Sequence, residues 1–443
     1  MRKARSPAND VSRREFLLRS LAVAGGAATV AAAARPAKEV ELIVWANFNE
    51  IHRYIVDLAP KYTQQNPSIK INCTLFAQRA LDEKVAVALP AGQGPDIIDF
   101  ASTQVLPYIE YVQFAPPDAV NFVKKNMPDA AFRECSTAKG ELHTFPFYVV
   151  TSALYYNTDH FAEAGLKEPP KNLDEAAEYA KKLAKRDPRG NITRAGLDLR
   201  VAGGGFGLTE KFWVLVMEPN GVHVIDQVGD KWKAGYDNEA GQKALQFYID
   251  GLYRHKYCAI DMKHDAEAFG LGVASMFCRE SWVVDYLAKN APTLKYGVAL
   301  QPRGAKDWCT LAATRGFAVP KVSKNQEEAW KFIQWLVNDE NCATFLKNYG
   351  WQPWRTNVDY SAAYKERPAL KTFQDGLKTQ GYRLYPYPQT PPAIEIYTRM
   401  ADRLAAAFKR ADLADNPKGI AQVMSDMAKE TNQILADNNV LAK

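Results

Sequence analysis

The chain has 443 residues, with 56 Lys and Arg against 50 Asp and Glu and a formal net charge of +6; that length exceeds what one hydrophobic core supports and predicts two domains. Residues 1–34 carry six of the cations (Arg2, Lys3, Arg5, Arg13, Arg14, Arg19) and two acids (Asp10, Glu15), a net of +4 out of +6, which leaves +2 for everything after them. The near balance of the remainder removes the electrostatic footing for nucleic-acid binding. Six scattered cysteines (Cys73, Cys135, Cys258, Cys278, Cys309, Cys342) with no CxxC are neither a disulfide scaffold nor a zinc pattern.

In chain order the first element is a leader. Its basic start runs into the Ala/Gly-rich stretch "SLAVAGGAATVAAAA", which is too short and too weakly apolar to span a bilayer. "AAAARPA" offers small residues at a cleavage position, and "SRREFLL" resembles the twin-arginine export signature through Ser12, Arg13, Arg14, Phe16 and Leu17. The basic residue usual after the leucine pair is missing, and Arg19 sits one place late. Residues 1–34 are therefore expected to be an export signal, with the mature chain folded before it crosses. An oxidising compartment would admit one or two disulfides, whose pairing the spacing leaves open.

The mature start alternates strand and helix. "VELIVWANF" is a short continuous apolar run, as in a strand buried on both faces. A helical stripe follows through Ile51, Tyr54, Ile55 and Leu58, then the strand "SIKINCTLF", the helix "RALDEKVAVALPAG" stopped by Pro90 and Gly92, and the strand "PDIIDFAS". This order predicts a parallel sheet with right-handed crossovers. Ligands of such sheets sit at the carboxyl ends of the strands. Those ends are Trp45 to Phe48, Phe76 to Gln78, and Phe100 to Ser102. The first turn lacks a dinucleotide glycine pattern, and "GGGFG" (Gly203 to Gly207) lacks the Gly-Lys-Ser/Thr of a phosphate loop.

The middle continues as α/β. "TSALYYNTD" and "YGVALQP" are strand-like. "KNLDEAAEYAKKLAK" is an amphipathic helix with Asn172 as cap and Glu175 three residues on. "AATRGFAVPKVSKNQEEAWKFIQWLVNDE" predicts a strand, a Pro-marked turn and a helix capped by Asn325 with Glu328, and residues 391–438 read as mostly helical. "NYGWQPWRTN" places Trp351, Trp354 and Arg355 on a turn marked by Gly350 and Pro353.

Several residues invite a catalytic or metal reading and do not sustain it. His255, Cys258 and His264 lack compact ligand spacing. Asp96 and Asp99 lie on opposite faces of one strand, which suits a strand-end role better than paired-carboxylate glycoside chemistry. Tyr155 and Tyr156 precede Asn157 in the pattern described next, which argues against an iron-binding tyrosine pair. No nucleophile elbow or HExxH motif occurs.

"LYYNTDHFAEAGLKEPPKNLDEAAEYAKKLAK" and "GFAVPKVSKNQEEAWKFIQWLVNDENCATFLKNYGWQPWR" resemble two landmarks of extracellular solute-binding proteins of ABC transporters, in the sugar-binding, maltose-binding-protein-like group. "PDIIDF" and "ESWVVDYLA" resemble two weaker ones. The resemblance spans nearly the whole mature chain. It implies a type II periplasmic-binding fold, with two α/β lobes of parallel-type sheets flanked by helices and a cleft between them. The expected lobes are 38–150 plus 304–354, and 151–303 plus 355–443.

It further implies a binding protein without catalysis, cofactor or metal. Such a protein would work in the periplasm as a monomer, take a carbohydrate or polyol, and partner membrane permease subunits. A pyranose has an apolar face that aromatic rings cover and hydroxyls that amides and charged groups bind. Trp45, Phe48, Tyr148, Trp213, Trp282 and Trp351 are the expected stacking residues. Asn47, Gln78, Ser102, Arg315 beside Gly316, and Arg355 are the expected polar partners, with Trp354 packed behind them. The alternatives are an exported glycan-active lyase or hydrolase, and a binding protein for a phosphorylated polyol, the latter if Arg315 and Arg355 converge.

Overall fold

The computed structural model describes residues 39–202 and 206–442; the leader read over 1–34 and Gly203 to Gly205 lie outside them. Strand Val40–Ala46 pairs in parallel with Ile69–Leu75, from Val40 opposite Ile69 to Ala46 opposite Leu75, and in parallel with Ile97–Ala101. Helices Asn49–Gln65 and Gln78–Ala88 make the two crossovers. The sheet then continues through Ala313–Pro320, Phe145–Val150 and Gln352–Pro353, each pairing antiparallel. Leu42, Val44 and Ala46 turn to one buried face of the first strand, and Trp45 turns to the other.

A second sheet has Ser152–Asn157 at its centre, flanked by Met276–Glu280 and Tyr296–Ala299. Both pairings are antiparallel, so the parallel pattern of the first three strands does not carry over. The strand Ser152–Asn157 continues directly from Phe145–Val150 through Thr151, and its partners return to it after long helical excursions. The chain thus leaves the large sheet at Thr151 and comes back to it between Ala299 and Ala313. After Pro353 it leaves again, and helix Ala369–Gly376 packs on the three-stranded sheet. Helices Ala393–Ala407 and Pro417–Asp437 match the expected helical C-terminal region. All six cysteines are free.

One of the two expected asparagine caps forms. The Asn172 side chain accepts from Glu175 N at 2.8 Å and caps helix Leu173–Leu183. Asn325 makes no such cap on helix Gln326–Leu336. Its amide is drawn to Asp96 Oδ1 at 3.3 Å, where Ser323 Oγ also donates at 2.5 Å and Ile43 N at 2.8 Å meets the other carboxylate oxygen. Asp96 is thus a tie between strand and loop.

Gly350 ends helix Asp339–Tyr349 with φ +78°, a conformation that disfavours any side chain. A Cβ there would also stand 3.1 Å from Ser281 O and 3.2 Å from Trp282 Cα, which belong to the three-stranded-sheet side. Gly350→Ala is expected to lower stability by about 1–2 kcal/mol, read as a drop in thermal midpoint. An unchanged midpoint would mean that the turn relaxes without cost.

Candidate functional site

A cavity of about 270 Å³ lies where the two sheets' helices and loops meet. One wall comes from segments at the ends of large-sheet strands: Phe48 and Glu50 after the first strand, Gln78 after the second, Val150, Arg315 and Trp351. The other comes from the three-stranded-sheet side: Arg200, Phe206, Gly207, Glu210, Lys211, Arg279, Glu280, Trp282 and Tyr387. Strand-end placement follows from the architecture, because the loops there are free to carry polar groups over an apolar scaffold.

Five of the twelve residues expected from sequence line this cavity: Phe48, Gln78, Trp282, Arg315 and Trp351. Trp351 is buried, 5.4 Å from the Phe48 ring and 5.3 Å from the Tyr148 ring. Trp282 is half-buried at the start of helix Trp282–Asn290; its Nε1 donates to Glu280 Oε2 at 2.8 Å, and the Arg279 guanidinium sits 5.2 Å above its ring.

Two more stand directly behind the lining. Arg315 donates from Nη2 to Asn47 Oδ1 at 3.0 Å, from Nε to Tyr148 Oη at 3.0 Å and from Nη1 to Gln104 Oε1 at 3.1 Å, with Asp99 at 3.7 Å. Asn47 and Tyr148 therefore fix the guanidinium rather than face the cavity themselves. Burial pulls Arg315 down, but Tyr148 and Asp99 more than offset it and leave it more strongly cationic than usual.

The structure places the other five elsewhere. Trp45 packs on helix Gln78–Ala88, 5.6 Å from Phe76 with Lys84 Nζ 4.8 Å over its ring, because strand alternation turns it to the far face. Ser102 Oγ donates to Glu134 at 3.0 Å. Gly316 sits in the sheet at a bulge, where a Cβ would stand 1.9 Å from Phe145 O. Trp213 donates to buried Glu218 and stacks behind Tyr387, with ring centroids 6.4 Å apart.

Arg355 is committed to structure: it donates to Val337 O at 2.6 Å, ion-pairs with Asp339 and lies 5.0 Å over the Phe122 ring. It lies outside the lining of the cavity that Arg315 reaches, so the two arginines do not converge there. Trp354 donates to Thr314 Oγ1 at 3.1 Å and packs in the core, as expected.

Apart from Arg315, the cavity's charged residues lie outside the expected set. Glu210 and Lys211 lie within helix Gly207–Phe212, and Arg279 and Glu280 end strand Met276–Glu280. Lys211 ion-pairs with both Glu210 and Glu280 and donates to Ser152 Oγ at 3.2 Å, and Tyr387 Oη donates to Glu210. Burial alone would push the Glu280 carboxyl up; Arg279 and Lys211 hold it well below the usual range. On the opposite wall, burial pushes the Glu50 carboxyl up, with Arg53 partly opposing. One signal was present in sequence: "MFCRES" ends an apolar run on two charges next to a tryptophan. Nothing linked residues 210–211 to it before folding did.

The arrangement offers aromatic faces on both walls, Phe48 and Trp351 opposite Trp282, Phe206 and Tyr387, with hydrogen-bonding groups of both signs between them. Asp96 and Asp99 lie outside the lining. Among the described residues no group of three or more His, Cys, Asp or Glu is placed to hold a metal ion.

Residues 57–372 match the family model described as bacterial extracellular solute-binding protein. A binding protein from Brucella abortus (strain 2308) is 24% identical over 93% of this chain and 97% of its own length. The maltotriose-binding protein of Pyrococcus abyssi is 24% identical over 79% of this chain and 74% of its own. Among solved structures, T. maritima MalE3 with maltose bound superposes with a TM-score of 0.75 at 19% identity, covering 89% of this chain and 99% of that one. The fold is therefore the two-lobed one that the sequence resembles.

Proposed function

Since the chain belongs to the bacterial extracellular solute-binding protein family, we propose that it captures a carbohydrate or polyol in the cavity between its lobes and delivers it to the permease subunits of an ABC importer. The observation that carries this reading is the meeting of aromatic faces and hydrogen-bonding groups from two separately built walls. A ligand touching Phe48, Gln78 and Trp351 on one side and Trp282 and Tyr387 on the other gains most when the walls are close, so its affinity favours a closed arrangement. The relatives named for maltotriose and maltose support a saccharide.

The lobes are assigned as 38–150 plus 304–354 and 151–303 plus 355–443. Strand membership supports this division, since Phe145–Val150, Ala313–Pro320 and Gln352–Pro353 share the large sheet and Ser152–Asn157 opens the other. Both walls come from one chain, which suits a protein working as a monomer. The family's extracellular character and the "SRREFLL" leader support export by the twin-arginine route into the periplasm. The named comparisons are binding proteins, and the cavity's Glu210 and Glu280 are both paired to Lys211 on one wall, which favours binding over glycan hydrolysis.

A thermal-shift screen against mono-, di- and oligosaccharides and polyols tests the proposal. Binding to the folded state alone raises its stability by about 2.7 kcal/mol at a hundred times the dissociation constant, so the right class gives a clear upward shift. No shift from any saccharide or polyol, or turnover of a glycan by the purified protein, would overturn it.

A further inference from the structure

Building on that reading of the cavity, we propose that its solute is acidic: a hydroxylated skeleton bearing a carboxylate or a phosphate ester, received by Arg200 with Arg279 beside it. Four cations line the cavity. Three of them have acids of their own. Lys211 holds Glu210 and Glu280; Arg315 holds Asp99 and three neutral acceptors; Arg279 Nε lies 3.5 Å from Asp265 and 3.4 Å from Glu280.

Arg200 has none. Among the described residues its side chain makes no ion pair and no hydrogen bond, and its Nε is shut from solvent without a partner. Its guanidinium end lies at the cavity, with Nη2 3.6 Å from where a Cβ on Gly207 would stand. The Arg279 Nε is likewise buried without a well-directed acceptor.

Burying guanidinium donors without acceptors is costly, and setting two such cations near each other costs more. Burial, then Arg279, pull Arg200 below its ordinary range. An oxyanion corrects both defects. Its oxygens take two donors of a planar fork at once, and its charge separates the two cations; a neutral hydroxyl offers one weaker acceptor and no charge.

The cavity's own acids leave room for it. Glu210 and Glu280 are turned to Lys211, Tyr387 and Trp282. Glu50 stands on the wall formed by the large-sheet side.

Titration calorimetry on matched sets tests this: glucose, glucuronate and glucose 6-phosphate; glycerol, glycerate and glycerol 3-phosphate. In one set an acidic member is expected to bind at least about 100-fold more tightly than its neutral parent, and to weaken as salt is raised. The carboxylate and phosphate members separate the two acid groups. Arg200→Gln is expected to erase the preference, Arg200→Lys to restore part of it, and the ligand-free melting temperature of Arg200→Gln to stay level or rise, because a half-buried cation whose Nε has no acceptor, and which burial and Arg279 oppose more than the nearby acids favour, is gone.

Equal binding of acid and neutral members, an equal loss for both in Arg200→Gln, or a ligand-free variant that melts several degrees lower would each overturn the inference. Tight binding of a neutral saccharide alone would sink it and leave the carbohydrate reading standing. Failure of every neutral and acidic probe would sink both.

Discussion

Arg315→Gln is expected to lower the unfolding free energy by about 3–5 kcal/mol at neutral pH. Arg315 is buried between the Phe48 ring, 4.6 Å from its guanidinium carbon, and a polar shell of Asn47, Gln104 and Tyr148. Behind that shell Asp99 is fully buried; it accepts from Asn47 N and Tyr148 Oη, both at 3.4 Å, and among the described residues from no closer donor. Burial already pushes the Asp99 carboxyl up, and Arg315 is the largest influence pulling it down. Removing the guanidinium strands the carboxylate and opens three acceptors in the same pocket.

The pH dependence has a definite sign. A carboxyl raised in the folded state binds more protons there than in the unfolded chain, so stability falls as pH rises between the unfolded and folded values. In the variant Asp99 rises further. The deficit should therefore be largest near neutral pH and shrink as pH falls toward about 5. Denaturant unfolding at both pH values measures it, and adding Asp99→Asn to the variant should recover part of the loss. An equal deficit at both pH values would show that the lost hydrogen bonds, not the stranded charge, carry the cost.

Arg315 also shows what a linear reading reaches and where it stops. Alternation of strand and helix over residues 40–101 gave the parallel half of the large sheet, since continuous apolar runs between helical stripes admit few other arrangements. Strand ends gave Phe48 and Gln78. Parity decided Trp45 and was available: Trp45 has the opposite parity to buried Leu42, Val44 and Ala46. What the run could not show is that the far face is covered by helix Gln78–Ala88 rather than opened to a ligand.

Arg355 illustrates a second limit. A turn dense in tryptophan, proline and arginine reads alike whether it faces a solute or ties a helix end. Its partners Val337 and Asp339 became visible only once helices Gln326–Leu336 and Asp339–Tyr349 were set beside it. The charged group of Arg200, Glu210, Lys211, Arg279 and Glu280 comes from segments far apart in sequence, with 69 residues between paired Lys211 and Glu280, and only tertiary packing joins them.

The two cavity tryptophans are expected to fail differently when removed. Trp351 is buried at the cavity wall against Phe48 and Tyr148 and is part of the main core, so Trp351→Ala leaves a void and should lower stability by about 3–5 kcal/mol, with any effect on binding entangled in that loss. Trp282 is only half-buried, at the margin of the main core beside the charged pair Arg279 and Glu280. Its indole is held by the bond to Glu280 Oε2 and by Arg279 above the ring, with Tyr286 edge-on at 5.9 Å. A ring fixed in that way presents a face to the cavity at little conformational cost on binding.

Trp282→Ala should therefore weaken the solute identified by the thermal-shift screen by about 100-fold, near 2.7 kcal/mol, while costing only about 1–2 kcal/mol of stability, less than a fully buried tryptophan. Calorimetry on the variant, with denaturant unfolding alongside, separates the two quantities. Because Glu280 also loses a donor in the variant, Trp282→Phe is the necessary companion: it keeps a face and drops the bond. If Phe restores most of the affinity, stacking is the source; if it binds as poorly as Ala, the indole acts by holding Glu280 in place, and the aromatic wall on this side is left to Phe206 and Tyr387.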